Sequence, residues 1–281
     1  MVKVYYTEIY MTRVLNGQEL VDFIKVRQLR QARNLRQQHA IIPTLVIVHD
    51  GKSPVNTSYL RVKQRYGDDI AVDVREVVAT PSTVIDELQK LAKDSEVHGI
   101  IVQLPFESVD IDELVAAIPA KKDVDGLRAD SVFIAATAQA IDWLVTGYNV
   151  TLTGKKIAII GQGRLVGAPL AALYKGHGYD ITTYEEGDSL SSVAEHDIII
   201  TATGVPGLIT NELVNQRAVV IDAGAATEDG RIVGDVADSV RQRDDVTITP
   251  VKGGVGPLTV ASLFENVLHA ARLQKDDGIA Q

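Results

Sequence analysis

The chain has 281 residues, 46% hydrophobic and 23% charged, a balance that suits a globular protein with a real core and a length that suits two ordinary domains. Its net charge of −9, with no Lys/Arg cluster, argues against a nucleic-acid partner, and the lack of cysteine removes disulfides, thiolate metal ligands and cysteine nucleophiles. No run reaches about 18 uninterrupted apolar residues, and "MVKVYYTEIYMTRV" has no apolar core like that of a signal peptide, so a cytoplasmic protein without a membrane partner is expected.

Residues 2 to 10 alternate in polarity and read as an edge strand. The stretch from Asn16 to Ala40 reads as one long helix, with an apolar stripe beginning at Leu20, Phe23, Ile24 and Val26 and a broad Gln- and Arg-rich wet face. "IPTLVIVHDG" is an apolar run closed by Asp-Gly, the pattern of a buried parallel strand. A helix containing "SYLRVKQRYG" follows, then the strand "IAVDVREVVA" and a helix capped by Ser82 or Thr83. "HGIIVQLPF" is a second buried strand, stopped by Pro105, and "DIDELVAAIP" is a helix. Alternating strands and helices imply a parallel sheet with helices packed on it.

The pattern restarts near residue 150, which places a domain boundary between about 135 and 150. "KIAIIG" leads into "GQGRLVGAP", residues 161 to 169, which opens a helix. That strand–turn–helix context is the one a dinucleotide fold requires. Gly161 allows a tight turn, Gly163 lets backbone approach a pyrophosphate, and the helix N-terminus offers N–H groups and a positive dipole end. The spacing is one residue longer than the usual fingerprint; in this context nucleotide binding is the preferred reading, and a tight connection without a ligand is the alternative. The next strand ends in "TTYEEGD". Glu185 and Glu186 either bond the ribose 2′-hydroxyl of NAD and repel a 2′-phosphate, or simply face water, with Arg164 the nearby cation. Further strands come from "DIIITATG", "AVVIDAG" and "TITPVKGG", and the last helix, "TVASLFENVLHAARLQ", is expected to pack back on the first half.

Several polar residues end or follow the apolar runs. Tyr59 and Lys63 are one turn apart on one helix face, either a solvated pair or a proton-handling pair lining a cleft. Gln103 ends a buried strand, where parallel sheets bind ligands and where an amide needs partners. Asp123 and Asp125 flank the turn "KDVDG", and for Asp123 an Asx-type turn is the preferred reading. "TPVKGGVGPLTVASL", residues 249 to 263, is a rigid turn that can approach a flat ligand or serve as an elaborate N-cap with Thr259 as cap. There is no HExxH, no G-x-S-x-G and no Walker lysine motif, and the six histidines are scattered, so no metal site, hydrolase triad or kinase is suggested.

Taken together, "YLRVK", "GIIVQLP", "KDVDG", "GQGRLVGAP", "GVPGLI", "AVVIDAG", "VGDV" and "TPVKGGVGPLTVASLFEN" resemble the bifunctional methylenetetrahydrofolate dehydrogenase/cyclohydrolase family, in order, from about Val14 to Leu273. The resemblance implies an N-terminal α/β tetrahydrofolate-binding catalytic domain (residues 1–140 with the C-terminal helix from about 259 to 281) and a Rossmann-like doubly wound NAD(P)-binding domain (141–258). It implies oxidation of 5,10-methylenetetrahydrofolate to the 5,10-methenyl form, hydrolysis of that cation to 10-formyltetrahydrofolate, a place in one-carbon metabolism and purine biosynthesis, and a homodimer. By the same resemblance Lys63 is the proton-transfer group, Tyr59 stacks on or positions the folate, Gln103 holds Lys63, and Asp125 binds the pterin. Gly253, Gly254, Pro257 and Leu258 complete the substrate-binding candidates. The cofactor-binding candidates are Gly161, Gln162, Gly163, Arg164, Val166, Gly167, Glu185, Glu186, Thr203 and Gly204.

The chain departs from the family at several points. "AATA", 135 to 138, replaces Pro-Cys-Thr-Pro and keeps only Thr137. Gly161-Gln162-Gly163 replaces Gly-Arg-Ser, Lys252 replaces a proline, and Asn56 stands where many members have serine. The family mostly uses NADP, but the lost Arg-Ser pair and the two glutamates favour NAD. A dehydrogenase-only enzyme and a nucleotide-binding homologue with an eroded site are the rival readings.

Overall fold

A computed structural model describes residues 13–52, 54–228 and 231–279. The edge strand expected over residues 2 to 10 lies outside the described residues. In chain order the elements are β1 (Arg13–Val14), α1 (Gly17–His39), β2 (Thr44–His49), α2 (Pro54–Ile70), β3 (Asp73–Val78), α3 (Val84–Lys93), β4 (Gly99–Val102), α4 (Ile111–Ala116) and α5 (Ala136–Gly147). They continue with β5 (Lys156–Ile160), α6 (Gly167–Gly176), β6 (Asp180–Tyr184), β7 (Ile198–Thr201), β8 (Val219–Asp222), β9 (Ala226–Glu228), β10 (Arg231–Val233), α7 (Asp238–Arg241), β11 (Thr247–Ile248) and α8 (Val255–Ile279).

The described chain forms two compact units, one of residues 18–140 with 257–279, the other of residues 13–17 with 141–256. The first unit holds a parallel sheet of order β3-β2-β4. Every residue of β2 and β4 is buried, which is why both read as unbroken apolar runs. Val46, Val48, Ile100 and Val102 pack with Val84 and Leu88 of α3 and Leu114 of α4. Gly67 lets α2 settle against the sheet, since a Cβ there would lie 2.5 Å from Val74 Cγ2 and 2.9 Å from the Val72 carbonyl. From α8, Phe264 stacks on Tyr66 of α2 with ring centroids 5.0 Å apart.

The second unit is built on a parallel six-stranded sheet of order β1-β11-β8-β7-β5-β6, with β9 and β10 as a separate antiparallel hairpin. β6 lies on one side of β5 and β7 on the other, so the strand order reverses at β5. In open α/β sheets ligands bind at the carboxyl edge of such a point.

Four expectations need correcting. In α1, Phe23 is 79% and Val26 54% exposed, while Val21, Gln28, Ala32 and Leu35 are the residues whose side chains are buried. Gln28 is accommodated because its amide donates to Ala261 O at 2.8 Å and its carbonyl accepts from Tyr66 Oη at 2.8 Å. Thr83 precedes α3 but does not cap it with its side chain; its hydroxyl accepts instead from the Thr80 N–H at 3.0 Å. At the ends, β1 pairs with β11 in the second unit rather than with residues 18–140, and α8 begins at Val255, which puts Thr259 inside the helix rather than at its cap.

Candidate active site

In the first unit, Leu60, Gly67 and Ile70 lie on the buried side of α2, and Lys63, between Leu60 and Gly67 on that side, is half-buried. Tyr59, one turn earlier, is 38% exposed. Gln103 extends the sheet one residue beyond β4, its N–H donating to Val48 O at 2.8 Å. The side chains then meet: Lys63 Nζ donates to Gln103 Oε1 at 2.7 Å. Burial pushes the Lys63 amine below the usual lysine range, and the Asp125 carboxylate works against that shift. Burial in turn raises the Asp125 carboxyl; Lys63 pulls it back down and Asp123 adds to the rise. The structure therefore brings Lys63, Gln103 and Asp125 into one electrostatic cluster.

Asp125 is positioned by its own turn. A parallel bridge pairs Asp123 with Ile100, and Val124 is buried beneath Gly99, where a Cβ would lie 2.9 Å from either Val124 methyl. Gly126 (φ +72°) folds the chain against Ala135, and the Ala136 N–H donates to Asp125 O at 3.2 Å. Asp123 ties the loop together differently from the expected Asx turn: its Oδ2 accepts from the Arg128 N–H, five residues on, at 2.9 Å, and its backbone carbonyl accepts from the Gly126 N–H at 3.0 Å. Asn266 of α8 was missed by the sequence reading. Its amide donates to Val124 O at 2.9 Å and Ile134 O at 3.0 Å, clamping the two segments that flank the Asp125 turn. The available signal was a lone amide inside the apolar run of "SLFENVL".

In the second unit, Gly161 follows β5 with φ +89°, and a Cβ there would lie 2.6 Å from Ala202 O. Gly167 begins α6 hard against the same turn, with a Cβ position 1.7 Å from Gly161 O. At Gly163 a Cβ would meet nothing within 4 Å, so the backbone is open to an approaching group. The N–H groups of Val166 and Ala168 donate to Gly163 O at 3.3 and 3.2 Å, and Pro169 has no N–H. The first turn of α6 therefore offers fewer free donors than its sequence suggests, though its dipole end remains. Gln162 Nε2 donates to Ile159 O at 3.3 Å, and Arg164 is exposed. Glu185 and Glu186 are both exposed just past β6, and the Glu185 N–H donates to Asp188 Oδ2 at 2.8 Å, bringing a third carboxylate there. Thr203 and Gly204 (φ +70°) follow β7. In the 249–257 turn, Gly254 packs on Thr249 and Lys252 is exposed. Gly253 has φ +86°, Pro257 is half-buried and Leu258 is fully buried.

These features define a class: a two-unit α/β protein with a half-buried lysine–amide–carboxylate cluster in one unit and a dinucleotide-type sheet and glycine turn in the other. Family models agree with both halves. Residues 15–125 match the tetrahydrofolate dehydrogenase/cyclohydrolase catalytic domain, and residues 135–275 match the NAD(P)-binding domain of the same family. The chain belongs to the tetrahydrofolate dehydrogenase/cyclohydrolase family. It is 34% identical, over 94% of its length and 100% of the relative's, to the bifunctional protein FolD of Enterococcus faecalis. It superposes with TM-score 0.87, at 29% identity over 93% of this chain and 99% of the other, on the FolD methylenetetrahydrofolate dehydrogenase/cyclohydrolase of Campylobacter jejuni. The Trypanosoma brucei FolD, solved with NADP and an inhibitor, matches with TM-score 0.86 at 27% identity over 94% of this chain and 98% of that one. Among the described residues, no helix is long and apolar enough to cross a membrane.

Proposed function

We propose that the protein oxidises 5,10-methylenetetrahydrofolate to the methenyl form with a nicotinamide dinucleotide and hydrolyses the methenyl form to 10-formyltetrahydrofolate. The observation that carries the reading is the Lys63–Gln103 hydrogen bond of 2.7 Å beside Asp125. Burial keeps part of the Lys63 population neutral at a pH where an exposed lysine is charged. The neutral amine takes a proton from the water that adds to the methenyl carbon. The resulting ammonium returns a proton to N5 as the C–N5 bond breaks, and the adduct's hydroxyl gives up its proton to solvent as the C=O forms, leaving the formyl group on N10 and one net proton released. Gln103 holds the amine in one orientation through both transfers. Asp125 accepts hydrogen bonds from the pterin and steadies the ammonium form. Tyr59 supplies an exposed aromatic face for the folate.

For the oxidation, the bound nicotinamide supplies a hydride acceptor. The open backbone at Gly163 and the Gly161–Gly167 turn suit the pyrophosphate, with Gln162, Arg164 and Val166 around it and Thr203 and Gly204 beyond β7. NAD is the favoured cofactor, because Glu185, Glu186 and Asp188 gather negative charge where a 2′-phosphate would need cations. Gly253, Gly254, Pro257 and Leu258 are assigned to substrate binding, and the protein is assigned to the cytoplasm as a homodimer. The test is the initial rate with 5,10-methylenetetrahydrofolate and NAD or NADP at equal concentration, alongside decay of the methenyl absorbance with and without protein. Turnover faster with NAD and accelerated methenyl decay are expected. Folded protein inactive in both assays would overturn the reading.

A further inference from the structure

The buried carboxylate of Asp235 has no role in the chemistry described so far. It follows β10 and is 1% exposed. Its Oδ2 accepts two hydrogen bonds of 2.7 Å, one from Thr201 Oγ1 at the end of β7 and one from the Thr203 N–H in the loop beyond. Thr203 Oγ1 then accepts from the Val205 N–H at 3.1 Å, so the turn as far as Val205 is tied down from below. Ala202 lies between the two donors. Its N–H donates to Ile160 O at 2.8 Å, and its own carbonyl is what a Cβ on Gly161 would strike. The loop after β7 is thus held on one side by the cofactor turn and on the other by Asp235.

Asp235 is itself rigidly placed. Asp222, the last residue of β8, accepts from the Asp235 N–H at 3.0 Å and the Val236 N–H at 3.1 Å, and it pairs with Arg241. Thr249 Oγ1 accepts from the Asp222 N–H at 2.9 Å, which ties the pair to the residue after β11. Gly224 and Gly234 leave room for the two carboxylates, because a Cβ on either would lie 2.0 Å from a carboxylate oxygen of Asp235 or Asp222. Among the described residues, Asp235 Oδ1 has no hydrogen-bond partner. A buried carboxylate with an unpaired oxygen is costly, more so than an amide or hydroxyl that could serve a plain turn, so its presence calls for a return elsewhere.

We propose that Asp235 is a positioning residue for the dinucleotide: through Thr201 and Thr203 it fixes the Ala202–Gly204 backbone against Gly161, at the point where the strand order reverses. The inference rests on the assignment of this unit as the NAD(P) site.

The test compares wild type with Asp235→Ala, Asp235→Asn and Thr201→Val. Calorimetric titration gives Kd for NAD and NADP, dehydrogenase kinetics separate cofactor KM from kcat, and methenyl hydrolysis is assayed without cofactor. Loss of the acceptor for two buried donors predicts a cofactor Kd and KM raised by about 10-fold or more in Asp235→Ala. Hydrolysis should stay within about twofold, since Lys63, Gln103 and Asp125, which are assigned to its proton transfers, lie in the other unit, and Asp235→Asn, which keeps an acceptor oxygen, should recover most of the lost affinity. An unchanged Kd in folded variants overturns the proposal, as does a parallel loss of hydrolysis that marks a general folding defect. Should both Asp235 variants fail to fold, Thr201→Val, which removes one donor at matched shape, carries the test, with a Kd rise of severalfold expected and an unchanged Kd overturning it. Wild-type protein that binds neither dinucleotide overturns the NAD(P) assignment together with this inference. Wild type that binds while the variants bind equally overturns this inference alone.

Discussion

Lys63 combines two demands that pull against each other. Its stem lies on the buried side of α2, and the desolvation that lowers its pKa is what makes an amine useful as a base near neutral pH. Asp125 limits how far that shift goes, because its negative charge stabilises the ammonium. The sign of the pH dependence follows. Hydrolysis should rise with pH as Lys63 loses its proton and level off below the usual lysine range. Asp125→Asn removes the charge that raises the lysine pKa, so kcat for hydrolysis should level off at lower pH, whatever happens to folate KM. A pH profile of kcat that does not move would mean that Lys63 is not the titrating group. Lys63→Met keeps the length of the stem and removes the proton-transfer group, and should lower the hydrolysis rate by about 10²–10⁴-fold. Methenyl decay no slower than in wild type would remove Lys63 from the chemistry.

At the scale of elements, the glycine turn shows how a local conformation fixes a site. Gly161 has φ +89° and no room for a Cβ against Ala202 O, so Gly161→Ala must push the ends of β5 and β7 apart. Cofactor KM should rise by an order of magnitude or more, about 1.4 kcal/mol per tenfold, while hydrolysis, assayed without cofactor, is retained. Equal loss of both activities would point instead to a collapsed fold. This turn was legible in the sequence because its signal is local: an apolar strand, glycines and a helix within a few residues. β2 and β4 were legible for a related reason, since burial on both faces leaves an uninterrupted apolar run. The buried face of α1 was not, because Gln28 is buried only by virtue of partners on α2 and α8. The site divides in the same way. Gln103 stood out as an amide ending an apolar strand, whereas Tyr59, Lys63 and Asp125 gained roles only from the family resemblance. Asn266 and Asp235 act on residues 142 and 34 positions away, and a local signal such as the lone amide in "SLFENVL" does not say which partners it serves.

For the molecule as a whole, the two units have cores of their own. One is built around Val46, Val48, Ile100 and Val102 and the other around Ala158, Ile160, Ile199 and Val220. A ligand that binds one unit disfavours first the openings that destroy its own site. At about 100 times its Kd, a dinucleotide adds roughly 2.7 kcal/mol against any opening that releases it, which is about a 100-fold slowing of amide exchange through that opening. If the 141–256 unit carries the cofactor, saturating NAD should slow exchange most in β5, β7 and β8 and in the loops after β5 and β7, and much less in β2 and β4. Hydrogen exchange read by mass spectrometry, with and without NAD, distinguishes the cases. Protection confined to the first unit would contradict the cofactor assignment. Equal protection in both sheets would mean that the two units open together, so that one ligand stabilises the whole chain.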